Sequence, residues 1–237
     1  MQLVKRDSWA GAGRLLGDCV LFRGLDAGEK EALLARARLL TFKAGETIFL
    51  QGSPGDTMMA VVSGNVRISV PSADGREIVL AILQDNDVFA EIAMLDGKPR
   101  TADAHAVTAC TIATLARRDV LGHFARHPEN WLSLVEVLCE RLRRTDQHVA
   151  DVAFLRLPVR LARALLRMTS IEMAEAPGRS DATIRLSQRE LGNFVGAGRE
   201  GVNKCLRHWQ RSGLIRVENG LITIVDRPAL EQLAAQG

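Results

Sequence analysis

The chain has 237 residues, 47% of them hydrophobic and 25% charged, an ordinary globular composition that excludes a disordered or membrane-embedded chain. Its net charge of +3 divides unevenly. Residues 1–155 carry 18 basic and 20 acidic side chains, and residues 156–237 carry 13 and 8, so a basic segment of +5 follows an acidic one of −2 and points to a polyanionic partner for the C-terminal part.

The opening stretch MQLVKRDSWAGAGR has no apolar core, and no run approaches 18 uninterrupted apolar residues. Export and membrane spanning are therefore not expected, and the cytoplasm is the expected compartment. The four cysteines, Cys19, Cys110, Cys139 and Cys205, show neither CxxC spacing nor pairing with histidine at zinc-ligand distances, and read as thiols in a reducing compartment.

Asp26-Ala-Gly-Glu29 before Ala32, Leu33 and Leu34 has the form of a capping box opening a short helix. From Thr41 to Ala116 the pattern changes to β-rich runs at Thr47–Leu50, Met58–Val62, Val66–Val70, Glu77–Leu83, Ala102–Val107 and Cys110–Leu115. Glycine turns separate them, including Pro54-Gly55, Ser63-Gly64, Asp74-Gly75 and Asp96-Gly97. Short strands at such spacing predict an antiparallel barrel or sandwich. Phe89-Ala-Glu-Ile-Ala-Met-Leu-Asp96 departs from the strand pattern and sets a carboxylate among apolar residues.

After Pro128 the spacing of Trp131, Val135, Leu138, Leu142, Thr145, Val149 and Val152 alternates between four and three. This is an a/d seam at the 3.5-residue period, which predicts a long helix pairing with a copy of itself; packing on its own domain is the other use of such a stripe. Thr145 is the seam's polar member. Phe154–Pro158 reads as a hinge, with Pro158 suited to the first turn of an amphipathic helix over 159–173, and Pro177–Asp181 as a polar loop.

Ser187-Gln-Arg-Glu190 is a second capping box, opening a helix through Val195. Gly196-Ala197-Gly198 breaks it before a further helix from Arg199 to Arg211. This is helix-turn-helix spacing, and Leu214–Val217 and Leu221–Val225 around Asn219-Gly220 add a hairpin, the wing of a winged helix. At about 100° per residue, Arg199, Glu200, Asn203, Lys204 and Arg207 share about 140° of arc, with Val202, Cys205, Leu206 and Trp209 opposite. An apolar side can thus pack while the polar one reads base edges: Arg on guanine, Glu on the cytosine amino group, Lys on guanine or phosphate. Ser187 and Arg189 of the preceding helix are further candidate DNA contacts.

From about Cys19 to Val225 the chain resembles the cyclic-AMP receptor protein and fumarate–nitrate regulator (CRP/FNR) family of bacterial transcription factors. The likeness rests on Phe89-Ala-Glu-Ile-Ala-Met-Leu-Asp-Gly-Lys-Pro-Arg-Thr-Ala102 and on Arg199-Glu-Gly-Val-Asn-Lys204. It implies an α+β fold: an N-terminal double-stranded β-helix, the cyclic-nucleotide-binding β-roll, over 1–127; a dimerisation helix and hinge over 128–155; and a winged helix-turn-helix over 156–237. It implies a homodimer on a palindromic double-stranded operator and no catalytic activity.

By position, Glu91 would take the ribose 2′-hydroxyl, Arg100 and Thr101 the cyclic phosphate, and the backbone of Ala90 and Ile92 the pocket wall. These types suit the task, since arginine pairs with phosphate and an ionised carboxylate only accepts. A structural ion pair between Glu91 and Arg100 is the competing use of the same residues. Thr145 falls where the cyclic-AMP proteins place a threonine facing adenine. Ala90 replaces the usual glycine, Asp146 stands where a serine would reach the base from the other subunit, and Lys204 replaces an arginine of the DNA-reading motif.

Cyclic AMP is the leading ligand; cyclic di-GMP, or no ligand, stays open. The resemblance to the oxygen-sensing branch stops at its cysteine cluster, since only Cys19 lies near the N-terminus, so no iron–sulfur cluster is expected; His105 and Cys110 are single residues in the strand region, so no haem or metal is expected either. A regulatory module attached to an enzyme or channel is the alternative from another class, and residues 156–237 carry neither. A contact of 171–182 with RNA polymerase stays open.

Overall fold

The computed structural model describes residues 2–3, 25–72, 77–175, 183–185, 188–218 and 220–236. Two compact units divide the chain, Met1–Arg143 and Arg144–Gly237, and the division falls inside one long helix.

In the first unit Asp26 caps helix α1 (Ala27–Leu34). Its carboxylate accepts from the Glu29 amide at 2.8 Å, and the Glu29 carboxylate accepts from the Asp26 amide at 2.9 Å, so the expected capping box is present. Strand β1 (Gln2–Leu3) precedes this helix, and β2 (Arg38–Phe42), β3 (Thr47–Phe49), β4 (Thr57–Ser63), β5 (Val66–Pro71), β6 (Glu77–Leu83) and β7 (Val88–Phe89) follow it. After helix α2 (Glu91–Asp96) come β8 (Asp103–Ala106), β9 (Cys110–Ala116) and helix α3 (Arg117–Arg126). A single 3-10 turn, Pro128–Asn130, leads into α4 (Trp131–Phe154).

The strands form a five-stranded sheet ordered β1-β2-β9-β4-β7 and a four-stranded sheet ordered β3-β8-β5-β6, paired antiparallel. Strand alternation makes two cores from the five-stranded sheet. Phe42, Val61, Phe89 and Ile112 face the other sheet, where Val66, Leu83 and Ala104 complete one cluster. Met58, Ala60, Val62, Ala113 and Leu115 point the opposite way and meet Leu33, Val120, Phe124 and Leu134 from the helices.

Strand β2 lies ahead of the first expected run, Thr47–Leu50, and was not expected, nor was β7. Two residues are too few to show a period. The turn at Asp74-Gly75 lies outside the described residues.

In the second unit α5 (Leu157–Glu175) carries Pro158 in its first turn, where a missing amide costs nothing. Strand β10 (Thr183–Arg185), helices α6 (Gln188–Val195) and α7 (Arg199–Arg211), strands β11 (Ile215–Glu218) and β12 (Leu221–Ile224) and helix α8 (Arg227–Ala234) complete it. The expected hairpin forms between β11 and β12, and β10 adds a third strand on β12 that the sequence pattern did not reveal. One apolar core, with Leu161, Leu165, Leu191, Val202, Leu206 and Trp209 at its centre, unites these helices with the wing. Ser187 and Asn219 lie outside the described residues.

Candidate nucleotide pocket and nucleic-acid interface

The segment that broke the strand pattern is a sharp turn into a helix. Phe89 ends β7 fully buried, and Ala90 then takes a left-handed conformation, φ 68° and ψ 12°, before α2 begins at Glu91. A Cβ is disfavoured there, which explains the glycine implied by the family resemblance.

Glu91 is 0% exposed. One carboxylate oxygen accepts from Arg141 Nη1 of α4 at 2.9 Å, and Arg141 Nη2 also donates to the Val88 carbonyl. The other oxygen, Oε2, has no partner. Arg100, 5% exposed, donates through Nη1 to the Ala90 carbonyl at 2.7 Å and through Nη2 to the Thr57 hydroxyl at 2.9 Å. Its guanidinium carbon lies 4.7 Å from the centroid of the Phe49 ring, which stacks on Phe89 at 6.1 Å. Its Nε is buried without a partner. Burial pulls the Arg100 pKa down, and the nearby Asp56 and Glu91 carboxylates oppose that shift.

Gly55 permits this packing. A Cβ there would fall 2.2 Å from the Cβ of Ala93 in α2 and 3.2 Å from Arg100 Cδ, so only glycine lets the Gly55 backbone pass against the helix. Glu91, Arg100, Thr101, Phe49, Ile68 and Arg141 line a cavity of about 40 Å³, room for about one water molecule.

Ala90, Glu91, Ile92, Arg100 and Thr101 are thus brought together. The competing expectation of a Glu91–Arg100 ion pair is corrected: Glu91 pairs with Arg141, because Arg100 is turned onto the Ala90 carbonyl and Thr57. Arg141 is not part of the motif that the sequence displays. It lies four residues before Thr145, one turn along the same helix face, and that spacing was the available signal. Thr145 and Asp146 are exposed on α4 and belong to the second unit.

Along α4, Leu134 is 1% exposed in the core of the first unit. The predicted seam is distinct from it: Trp131, Val135, Leu142, Val149 and Val152 are exposed, Leu142 at 62% and Val149 at 61%, and Leu138 is half-buried. Trp131 packs on Phe124 with ring centroids 4.5 Å apart, while Leu142 and Val149 stay more than half exposed in a single chain.

In the second unit, α7 has the two faces that the helical arc predicted. Val202, Leu206 and Trp209 are buried, whereas Arg199, Glu200, Lys204 and Arg207 are exposed and Asn203 is half-buried. The Asn203 carbonyl oxygen accepts from Gln188 Nε2 at 3.4 Å, linking α7 to the first turn of α6, where Arg189 is exposed. The turn between the helices needs Gly192: a Cβ there would sit 2.5 Å from the Ala197 carbonyl oxygen, and the Ala197 amide bonds the Gly192 carbonyl at 2.9 Å.

Comparison with known proteins matches residues 39–127 to the cyclic nucleotide-binding domain and residues 159–233 to the Crp-like helix-turn-helix domain. A CRP-like cAMP-activated global transcriptional regulator of Mycobacterium tuberculosis is 34% identical over 220 residues, covering 93% of this chain and 98% of the relative. The cyclic AMP receptor protein of Thermus thermophilus is 29% identical, over 90% of this chain and 96% of its own. Among solved structures, the c-di-GMP responsive global regulator CLP of Xanthomonas campestris superposes with a TM-score of 0.75 at 25% identity, over 84% of this chain and 99% of that one.

Proposed function

Because the chain belongs to the CRP/FNR family of transcription regulators, a family of DNA-binding regulators and not of enzymes, we propose that its DNA binding is controlled by a cyclic nucleotide, cyclic AMP first, held against Glu91 and Arg100. In this reading residues 1–127 sense the ligand, 128–155 pair two copies, and 156–237 bind a palindromic operator in the cytoplasm. No helix among the described residues is long and apolar enough to cross a membrane.

The observation that carries the ligand assignment is the pair of buried, unpartnered polar atoms, Glu91 Oε2 and Arg100 Nε, in one pocket. A buried polar atom without a partner is costly, and a ribose hydroxyl and a phosphate oxygen are the complementary groups. Arg141 occupies the place beside Glu91, and the remaining space is far too small for a nucleotide. In this reading a nucleotide opens the lining of that space, and Arg141, which stands on α4 and bonds Glu91, is the part of the lining displaced. That displacement is the proposed link between the pocket and the helix that carries the apolar seam.

The exposed seam supports the homodimer, and the two-faced α7 supports operator contact through Arg199, Glu200, Asn203, Lys204 and Arg207, with Ser187 and Arg189 beside them. A dimer would set its recognition helices about 34–36 Å apart. Cyclic di-GMP is the second reading, favoured by the likeness to the c-di-GMP responsive regulator of Xanthomonas campestris. A contact with RNA polymerase through 171–182 belongs to the same proposal.

Calorimetry with cyclic AMP, cyclic GMP and cyclic di-GMP tests the ligand. Binding of cyclic AMP that is lost in Glu91→Gln supports the reading, and silence from all three at millimolar concentration overturns it.

A further inference from the structure

A second cleft, of about 710 Å³, opens at one end of the five-stranded sheet. Thr57 of β4 and Thr114 of β9 contribute hydroxyls to its lining. Arg36 and Arg38 come from the α1–β2 connection and the start of β2, and Arg117 and Arg118 from the first turn of α3.

The charge is not cancelled locally. Against four arginines the lining holds two carboxylates, Asp56 and Asp119. Asp119 is shared, 3.2 Å from Arg36 and 3.8 Å from Arg118. Arg117 is tied through its guanidinium to the neutral Met94 and Leu95 carbonyls at 2.6 and 3.2 Å, so its charge is oriented without being neutralised. The Arg38 guanidinium has no acidic partner among the described residues.

Cavities of about 300–1,000 Å³ hold small molecules, and guanidinium forks match phosphate oxygens in bidentate fashion. We propose that this cleft binds a small polyphosphate, either inorganic or the phosphate arm of a nucleotide, at a site separate from the Glu91 pocket. Thr57 connects the two: its hydroxyl oxygen accepts from Arg100 Nη2 at 2.9 Å, which leaves the hydroxyl proton for a ligand in the cleft. Occupancy of the cleft then bears directly on the arginine assigned to the cyclic phosphate.

The test is calorimetry on the full chain at about 0.15 M salt, where non-specific charge attraction is screened beyond about 8 Å, with tripolyphosphate and ATP as probes. Arg38 is exposed and the Arg118 side chain is 88% exposed, so the double variant Arg38→Gln/Arg118→Gln, and Arg118→Gln alone, remove charge without disturbing the core. The expected result is binding of tripolyphosphate that weakens at least about tenfold in the double variant, less in the single one, and persists in Arg100→Gln and in Arg199→Gln/Lys204→Gln. Equal affinity for both probes identifies the phosphates as the recognised group, and tighter binding of ATP adds a seat for the nucleoside; both support the site.

Absence of binding at millimolar probe overturns the proposal, as does binding that survives the double variant or disappears with Arg100→Gln or Arg199→Gln/Lys204→Gln. An octaglutamate peptide that binds the cleft more tightly than tripolyphosphate also overturns it and identifies an acidic protein segment as the partner.

Discussion

Glu91 of α2 and Arg141 of α4 form a 2.9 Å ion pair in which the glutamate side chain is wholly buried and the arginine side chain is 30% exposed. Removing one partner leaves the other charge uncompensated, and the partial exposure of Arg141 keeps the cost below that of a fully buried pair. Arg141→Gln is expected to destabilise the ligand-free protein by about 2 kcal/mol, and Glu91→Gln/Arg141→Gln to recover most of that loss. Urea midpoints of the two single variants and the double variant measure it; a neutral Arg141→Gln contradicts the pairing.

Ala90 gives a prediction of opposite sign. A left-handed residue with a Cβ costs roughly 1–2 kcal/mol, and glycine surrenders about 0.4–1 kcal/mol through the freedom of its unfolded chain. Ala90→Gly should therefore stabilise the protein by about 0.5–1 kcal/mol, seen as a rise in melting temperature. A fall indicates that the Cβ makes packing contacts worth more than the strain.

The exposed seam of α4 is expected to be covered by a second copy. Leu142→Asp/Val149→Asp places charges on the stripe, leaves the buried Leu134 untouched, and should give a folded monomer in analytical ultracentrifugation where the parent chain is a dimer. A variant that stays dimeric locates the interface elsewhere.

His123 makes the first unit sensitive to acid. The ring is buried, its Nε2 lies 3.2 Å from Asn130 Nδ2, and it stacks on His127 at 4.8 Å. Burial, reinforced by neighbouring His127 and Arg126, pulls its pKa down, while Glu29 and Glu129 oppose the shift. The unfolded chain therefore takes up the proton first: stability is full above about pH 6.5 and falls as the pH drops toward the folded value. Denaturant midpoints at pH 7.5 and pH 5.5 should differ more in the parent chain than in His123→Asn, and an identical difference contradicts the assignment.

Period-2 runs, glycine turns and the arc of α7 were readable because each is a local pattern repeated along the chain. The buried Val202, Leu206 and Trp209 opposite Arg199 and Lys204 show how far that reading reaches. Strand β7, strand β10 and the partner of Glu91 were not readable, since short strands carry no period and Arg141 meets Glu91 across 50 residues of sequence. The closing of Arg100 onto Thr57 and the Ala90 carbonyl is likewise a tertiary contact that the motif alone does not contain.

In the proposed function a cyclic nucleotide on Glu91 and Arg100 governs operator binding through Arg199 and its neighbours. Fluorescence anisotropy of a duplex selected in vitro by the parent chain, titrated with and without cyclic AMP, measures it directly. Tighter binding with the nucleotide is expected, with loss of that response in Glu91→Gln and, in Arg199→Ala, a loss of about 1–3 kcal/mol with relaxed sequence preference. Operator affinity that is the same with and without cyclic AMP, in the parent chain and in Glu91→Gln alike, would contradict it.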